Sequence, residues 1–272
     1  MFLRYMRYLF FIIFIMSAHV FSSCRQNTTH VTVFEHALHE VQNYTELRSV
    51  QQKEHYYSQY TLFELQLLLH DFVNVADIDS TIIIDLRYTT SNNNWKQPLL
   101  ANITHAMLQK DVAQKLHTAQ KISKSIDSSY SLILYDAVRP HSVQKMMWDV
   151  STLPLTRKRN FIAHPTHTSL HNYGAAVDVS LCKQRIPLDM GTPFDFAGKA
   201  AYTYIDEKLL RSGELTATHI ANRKLLQRIM ILAGFIPNKY EWWHFNACYR
   251  YEVAQRYPFV VSYDSIAPPS RD

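Results

Sequence analysis

Glycine is scarce in this chain of 272 residues: there are five, with ten prolines and three cysteines. Neither glycine nor proline gathers into a linker, so nothing divides the stretch from residue 73 to 272. A segment of that length buries a substantial core as one domain. No internal repeat or low-complexity tract is present. A membrane-spanning run is missing near the N-terminus, where Leu9–Met16 holds eight apolar residues, too few to cross a bilayer as a stable helix. The formal charge of +5 is spread along the chain, with no basic stripe interleaved with aromatics. That pattern excludes a nucleic-acid partner.

What the N-terminus does have is an export pattern. Arg4 and Arg7 precede the apolar run, and Val20-Phe21-Ser22-Ser23-Cys24 follows it. Small residues before a cysteine resemble a bacterial lipoprotein cleavage box, with Phe21 standing where leucine is usual. The expectation is a signal over residues 1–24, lipid on Cys24 as the sole membrane contact, and a location in the periplasm or cell envelope. Residues 25–72 read as a helical extension, with Phe34, Leu38, Val41, Leu62, Leu65 and Leu69 at three-to-four spacing. Two forms remain open for it, a stalk or a layer packed on the domain that follows. His30, His36 and His39 form no metal pattern.

The chemistry concentrates in two short stretches, Ser169–Asp178 and Glu241–His244. His171, Asp178 and His244 are two neutral nitrogens and one oxygen, the ligand set of a catalytic zinc site whose fourth position is left to water. Two imidazoles favour Zn²⁺ over Mg²⁺. Glu241 is the spare carboxylate, placed to take a proton from that water. His171 and Asp178 are seven residues apart and would face opposite ways on one unbroken strand. Asn172-Tyr173-Gly174 supplies the turn that brings them together. A strand beginning near Ala175 would put Ala176, Asp178 and Ser180 on one face and Val177, Val179 and Leu181 on the other. Glu241 and His244 share a side only if the backbone turns between them, and Trp242 and Trp243 argue for a turn running into a strand.

Elsewhere the spacing predicts a strand at Ile82–Ile84, a loop over 86–103, a helix over Thr104–Ser125 and a strand over Ser131–Val138. Pro140 suits the first turn of a helix burying Val143, Met146, Met147 and Val150. Gln184–Pro187 reads as a hairpin tip. A helix over Ala217–Ala233, with Ile220, Leu225, Ile229 and Leu232 inward, ends at Gly234. The tail after Tyr263 reads as loose. Cys182 and Cys248 each follow a metal ligand by four residues. They could pair if their strands run parallel and not if antiparallel.

Ser-x-His-x-x-Gly-x-Ala-x-Asp with a downstream Glu-x-Trp-His resembles the zinc D-alanyl-D-alanine dipeptidases of the vancomycin-resistance type, part of a wider group of zinc D,D-peptidases. Asp85–Thr90, Tyr135–Pro140 and Met190–Asp195 are similar to further family segments, so the likeness covers about residues 73–265. Asn93-Asn94-Trp95-Lys96 stands where the family has Asn-Phe-Thr-Gly. The resemblance implies an α+β domain with a central, largely antiparallel sheet carrying one zinc, flanked by helices. It further implies that Arg139 stabilises the oxyanion, that Asp136 orients Arg139 or lines the pocket, and that Asp195 receives the ammonium of a dipeptide. Ser169 and Trp243 are the remaining substrate contacts. The implied reaction is hydrolysis of D-alanyl-D-alanine in cell-wall metabolism. The alternatives are a D,D-carboxypeptidase trimming wall peptides and a wall-binding lipoprotein without catalysis.

Overall fold

A computed structural model describes residues 55–270. The expected signal, the Cys24 lipid site and residues 25–54 of the extension lie outside the described residues. The elements run α1 (Leu62–Leu68), β1 (Phe72–Asn74), β2 (Ile83–Ile84), β3 (Met107–Gln109), α2 (Lys110–Ile126), β4 (Tyr130–Asp136), α3 (His141–Val150), β5 (Ala176–Lys183), β6 (Ile186–Pro187), α4 (Ala217–Leu232), β7 (Ile236–Pro237), β8 (His244–Asn246), α5 (Arg250–Arg256), β9 (Phe259–Ser262) and β10 (Ser265–Ala267). Short helical turns fill several of the gaps. Among the described residues no helix is long and apolar enough to cross a membrane.

The described part of the extension is packed on the domain. Thr61 and Glu64 close a capping box at the start of α1. Glu64, fully buried, also accepts the backbone N–H groups of Thr104 at 2.6 Å and His105 at 2.7 Å. Tyr57, Tyr60, Phe63, Leu65 and Leu67 are buried around it.

The main sheet has the order β2-β4-β5-β8-β7, with β6 pairing β5. β2 and β4 are parallel and every other pair is antiparallel. The domain is thus α+β with a largely antiparallel sheet. α2 lies against β4, and the buried Gln120 ties the two, donating to Ser131 Oγ at 2.9 Å and accepting Leu132 N–H at 2.8 Å. Register is what matters for function. Asp178 in the middle of β5 stands opposite Asp136 of β4 on one side and His244 of β8 on the other. Because β5 and β8 are antiparallel, Cys182 and Cys248 lead away in opposite directions, and both are free thiols.

Several local expectations are corrected. The helix predicted from Thr104 begins at Lys110, because Met107–Gln109 pairs with Phe72–Asn74. Three consecutive buried residues there suit a strand closed in on both faces rather than one helical stripe. In α3, Val143 and Met147 are buried while Met146 and Val150 are exposed, and Pro140 caps the helix from outside. In α4 the buried face passes through Ile220, Arg223, Leu226 and Met230, leaving Leu232 in solvent. Beyond Tyr263 the chain is not loose: β10 returns along β9 as a hairpin.

Candidate metal centre and active site

His171 owes its position to a short 3-10 turn, Leu170–Tyr173, between the end of β4 and the start of β5. Ser169 caps that turn: its hydroxyl accepts His171 N–H, and Asn172 Oδ1 in turn accepts Ser169 N–H at 2.7 Å. Gly174 ends it at φ 62°, where an added Cβ would lie 2.4 Å from the Phe72 ring. No other residue fits there. The turn is tied to the Arg139 segment, with Arg139 N–H donating to His171 O at 3.0 Å and Asn172 Nδ2 donating to Arg139 O at 2.8 Å. The imidazole itself is fully buried, and its Nδ1 donates to Ala137 O at 2.7 Å. A carbonyl only accepts, so the proton sits on Nδ1 and Nε2 is left with a bare lone pair.

His244 is oriented in the mirror sense. Glu241–His244 is a turn, closed by His244 N–H to Glu241 O at 3.3 Å, that runs into β8. His244 Nε2 donates to Asn246 Oδ1 at 2.8 Å, so Nδ1 carries the free lone pair. The two bare nitrogens and one carboxylate oxygen converge. His171 Nε2 and His244 Nδ1 are 3.1 Å apart, and Asp178 Oδ1 is 3.3 Å from the first and 3.0 Å from the second. Three acceptors at such separations repel unless a cation lies among them. The set therefore fits a metal ion, and it is the group among the described residues able to hold one. Burial works to raise the pKa of Asp178, but the two imidazoles overcome it and hold the carboxyl well below the usual carboxylate range.

Glu241 lies beside this set, Oε2 3.9 Å from His244 Nδ1, and accepts Asn238 Nδ2 at 2.7 Å. Burial, with the nearby charges of Asp178 and Asp195 in the same direction, pushes its pKa up to about 8. A cation held by Asp178 acts the opposite way and favours the ionised base.

The other predicted residues fall on two further sides. Arg139 and Asp136 are both buried, with Arg139 Nε 3.3 Å from Asp136 Oδ2. The contact is an ion pair and not a directed hydrogen bond: neither Asp136 oxygen nor Arg139 Nε has a hydrogen-bond partner. Asp136 Oδ2 is also 3.5 Å from His171 Nδ1. Burial holds the Asp136 pKa above its ordinary value, with Arg139 and His171 opposing. Asp195 lies on the hydroxyl side of Tyr88, whose ring faces Arg139. It adopts φ 67°, a left-handed conformation costly for a residue with a side chain. Its carboxylate accepts Tyr88 OH at 3.1 Å and Asn94 N–H at 3.2 Å. Burial raises its pKa to about 7. Trp243 is buried against Phe194, ring centroids 5.5 Å apart, and Ser169 spends its hydroxyl on the cap described above.

Sequence reasoning missed Tyr88, Asn238, Asn246 and Asn94. Tyr88 bridges two sides of the site, its hydroxyl on Asp195 and its ring 5.2 Å from the Arg139 guanidinium carbon. Asn246 and Asn238 had a signal in their spacing, two residues after one ligand and three before the base. Asn94 lies in the segment that departs from the family pattern, where Lys96 takes φ 56°.

A carboxylate beside a three-ligand metal set, with an arginine on one side, is a peptidase arrangement, and comparison with known proteins agrees. The family model for Peptidase M15, described as D-ala-D-ala dipeptidase, matches residues 69–262. The D-alanyl-D-alanine dipeptidase of Escherichia coli (strain K12) is 30% identical over 177 residues, covering 65% of this chain and 84% of that protein. The D-alanyl-D-alanine dipeptidase of Synechocystis sp. is 26% identical over 189 residues, covering 56% of this chain and 74% of that protein. A solved LdcB LD-carboxypeptidase aligns at 20% identity over 65% of this chain and 67% of its own, with a TM-score of 0.36, too low to argue from. On the family match and the first relative, this chain belongs to the Peptidase M15, or D-ala-D-ala dipeptidase, family.

Proposed function

We propose that the protein is a zinc-dependent dipeptidase that hydrolyses D-alanyl-D-alanine. The observation that carries this reading is the convergence of three bare acceptor atoms, 3.0 to 3.3 Å apart, beside Glu241, whose side chain is 11% exposed. His171, Asp178 and His244 would hold the Zn²⁺, which supplies a Lewis acid and a bound water of lowered pKa.

The chain's own residues do the rest. Glu241 takes the proton of the attacking water and returns it to the leaving amine. Asn238 fixes Oε2, the carboxylate oxygen on the metal side, and so sets the orientation in which Glu241 moves the proton. Arg139 offers its guanidinium to the oxyanion that develops on the scissile carbonyl. Burial opposes its charge, but Asp136 and Tyr88 outweigh that and keep its pKa above the ordinary arginine value. Asp195 receives the free ammonium of the substrate, which limits the length of peptide that fits. Ser169 and Trp243 shape the floor, the first through the cap and the second through packing. Export through the N-terminal signal and a lipid on Cys24 would hold the enzyme in the cell envelope, where wall dipeptides arise.

The test is hydrolysis by the purified, zinc-loaded chain. Release of D-alanine from D-Ala-D-Ala, with L-Ala-L-Ala and N-acetyl-D-Ala-D-Ala left intact, is the expected outcome. Efficient removal of terminal D-alanine from a long wall peptide would instead support the D,D-carboxypeptidase reading.

A further inference from the structure

Ahead of the His171 turn the chain forms a second recess. It is a cleft of about 760 Å³ lined by Arg159, His164, Thr166, His167, Thr168 and Arg250, with Ala163. No carboxylate lines it. The Arg159 side chain makes no ion pair or hydrogen bond among the described residues. Arg250 is held through one guanidinium nitrogen by the Thr168 carbonyl. That bond engages one of the guanidinium's nitrogens and a carbonyl neutralises no charge, so the remaining N–H groups and the full charge of Arg250 stay available. The neighbouring Lys158 is turned aside, its ammonium 4.9 Å from the Trp148 ring, while Trp148 also packs on His164 at 4.7 Å. His164 is further fixed by Thr166, Nδ1 to Oγ1 2.7 Å.

Some exposed cations pair with acids, as Lys145 does with Asp149, Lys183 with Asp127, Lys224 with Glu207 and Arg256 with Asp111, and others, such as Lys121 and Arg228, do not; what sets this recess apart is two arginines lining one cleft that no carboxylate lines. Two guanidinium forks left without acids in one recess, with the His167 imidazole lining it beside them, offer more donors than a carboxylate's two oxygens can take. They suit the three or four oxygens of a tetrahedral oxyanion. The geometry points to a phosphoryl-binding cleft, distinct from the metal centre, for which Arg159 and Arg250 are the anchoring charges. The phosphoryl group could be inorganic phosphate or the headgroup of an anionic phospholipid.

The experiment uses the full chain at fixed ionic strength. Calorimetric titration with sodium phosphate is run beside sodium acetate, and co-sedimentation with phosphatidylglycerol vesicles beside phosphatidylcholine vesicles. Saturable phosphate binding, weakened about tenfold in Arg159→Gln by the loss of one charge-assisted contact, supports the cleft with a free oxyanion as ligand. Vesicle binding that needs phosphatidylglycerol and falls in the same variant supports it with a lipid headgroup. Arg250→Gln should weaken binding likewise, and Arg157→Gln, outside the cleft lining, should not. Arg159 is exposed and far from any packing role, so the variant folds, and its dipeptide hydrolysis should match the parent. No binding in either arm, equal binding of acetate, or undiminished binding by both Arg159→Gln and Arg250→Gln would overturn the assignment.

Discussion

The metal corner and the arginine corner of this site are built on opposite principles. In the metal corner the two imidazoles and the neighbouring base are each held by a neutral partner: Ala137 O for His171, Asn246 Oδ1 for His244, Asn238 Nδ2 for Glu241. Those tethers choose the tautomers and leave three lone pairs with nowhere to point except at one another. In the arginine corner, Asp136 and Arg139 lie buried with their charges close but with no directed hydrogen bond between them, and the guanidinium donates from Nη1 to the weakly accepting Met147 Sδ at 2.9 Å. A directed hydrogen-bond network resists movement, whereas a bare ion pair can let the guanidinium turn toward a new anion at small cost. The first corner is thus preorganised for an ion of fixed position, and the second is poised for a charge that appears only during reaction.

That contrast can be broken at four places. The largest effect is expected for Glu241→Gln, which keeps the shape and the Asn238 contact but removes the base. Turnover should fall by about 10²- to 10⁴-fold with zinc content unchanged, read by steady-state kinetics and metal analysis on the same sample. In the other corner, Arg139→Lys keeps a positive charge against the buried Asp136 and should lower kcat by about 10²- to 10³-fold. Arg139→Ala, which strands that carboxylate, should instead lower thermal stability as well.

Next in size comes the tether. Asn246→Ala frees His244 to adopt the other tautomer, and zinc affinity should weaken about 10- to 100-fold in competition with a chromophoric chelator. No change would mean that the sheet alone orients the ring.

The smallest effect concerns Asp195. Its folded pKa, about 7, exceeds the ordinary 3.8 of an aspartate. An ammonium is bound by the ionised form, so KM for D-Ala-D-Ala should rise as pH falls below about 7, approaching tenfold per unit. For stability the sign is reversed. Between about 4 and 7 the folded state holds the proton that the unfolded state has lost, so this residue makes the protein less stable as pH rises through that window. Asp195→Asn should flatten the KM profile and raise the Tm of the metal-free protein at pH 8 by about 2–4 °C for each kcal/mol relieved.

The legible parts of the sequence are those whose geometry is local. Asn172-Tyr173-Gly174 announces a turn wherever it occurs, and alternation from Ala176 onward announces β5, so the residues alone convey the His171–Asp178 relation. Glu241 and His244 are legible as a turn into a strand for the same reason. The tethers are not. Whether Asn246 meets His244 depends on how β8 sits against β5, and whether Tyr88 meets Asp195 depends on contacts between residues 107 apart. β1 and β3, three residues each, are too short to show a period, and β3 holds apolar residues that extend the helical pattern of α2 backward. The β9–β10 hairpin is hidden by a proline-rich tail. The family likeness supplies roles for Arg139, Asp136 and Asp195 that spacing alone does not.

Anomalous diffraction at the zinc edge from crystals of the zinc-loaded chain tests the central claim most directly. The expected map has one peak within about 2.0–2.2 Å of His171 Nε2, His244 Nδ1 and Asp178 together. A peak bonded to His244 through Nε2, or no peak within reach of all three residues, would contradict it.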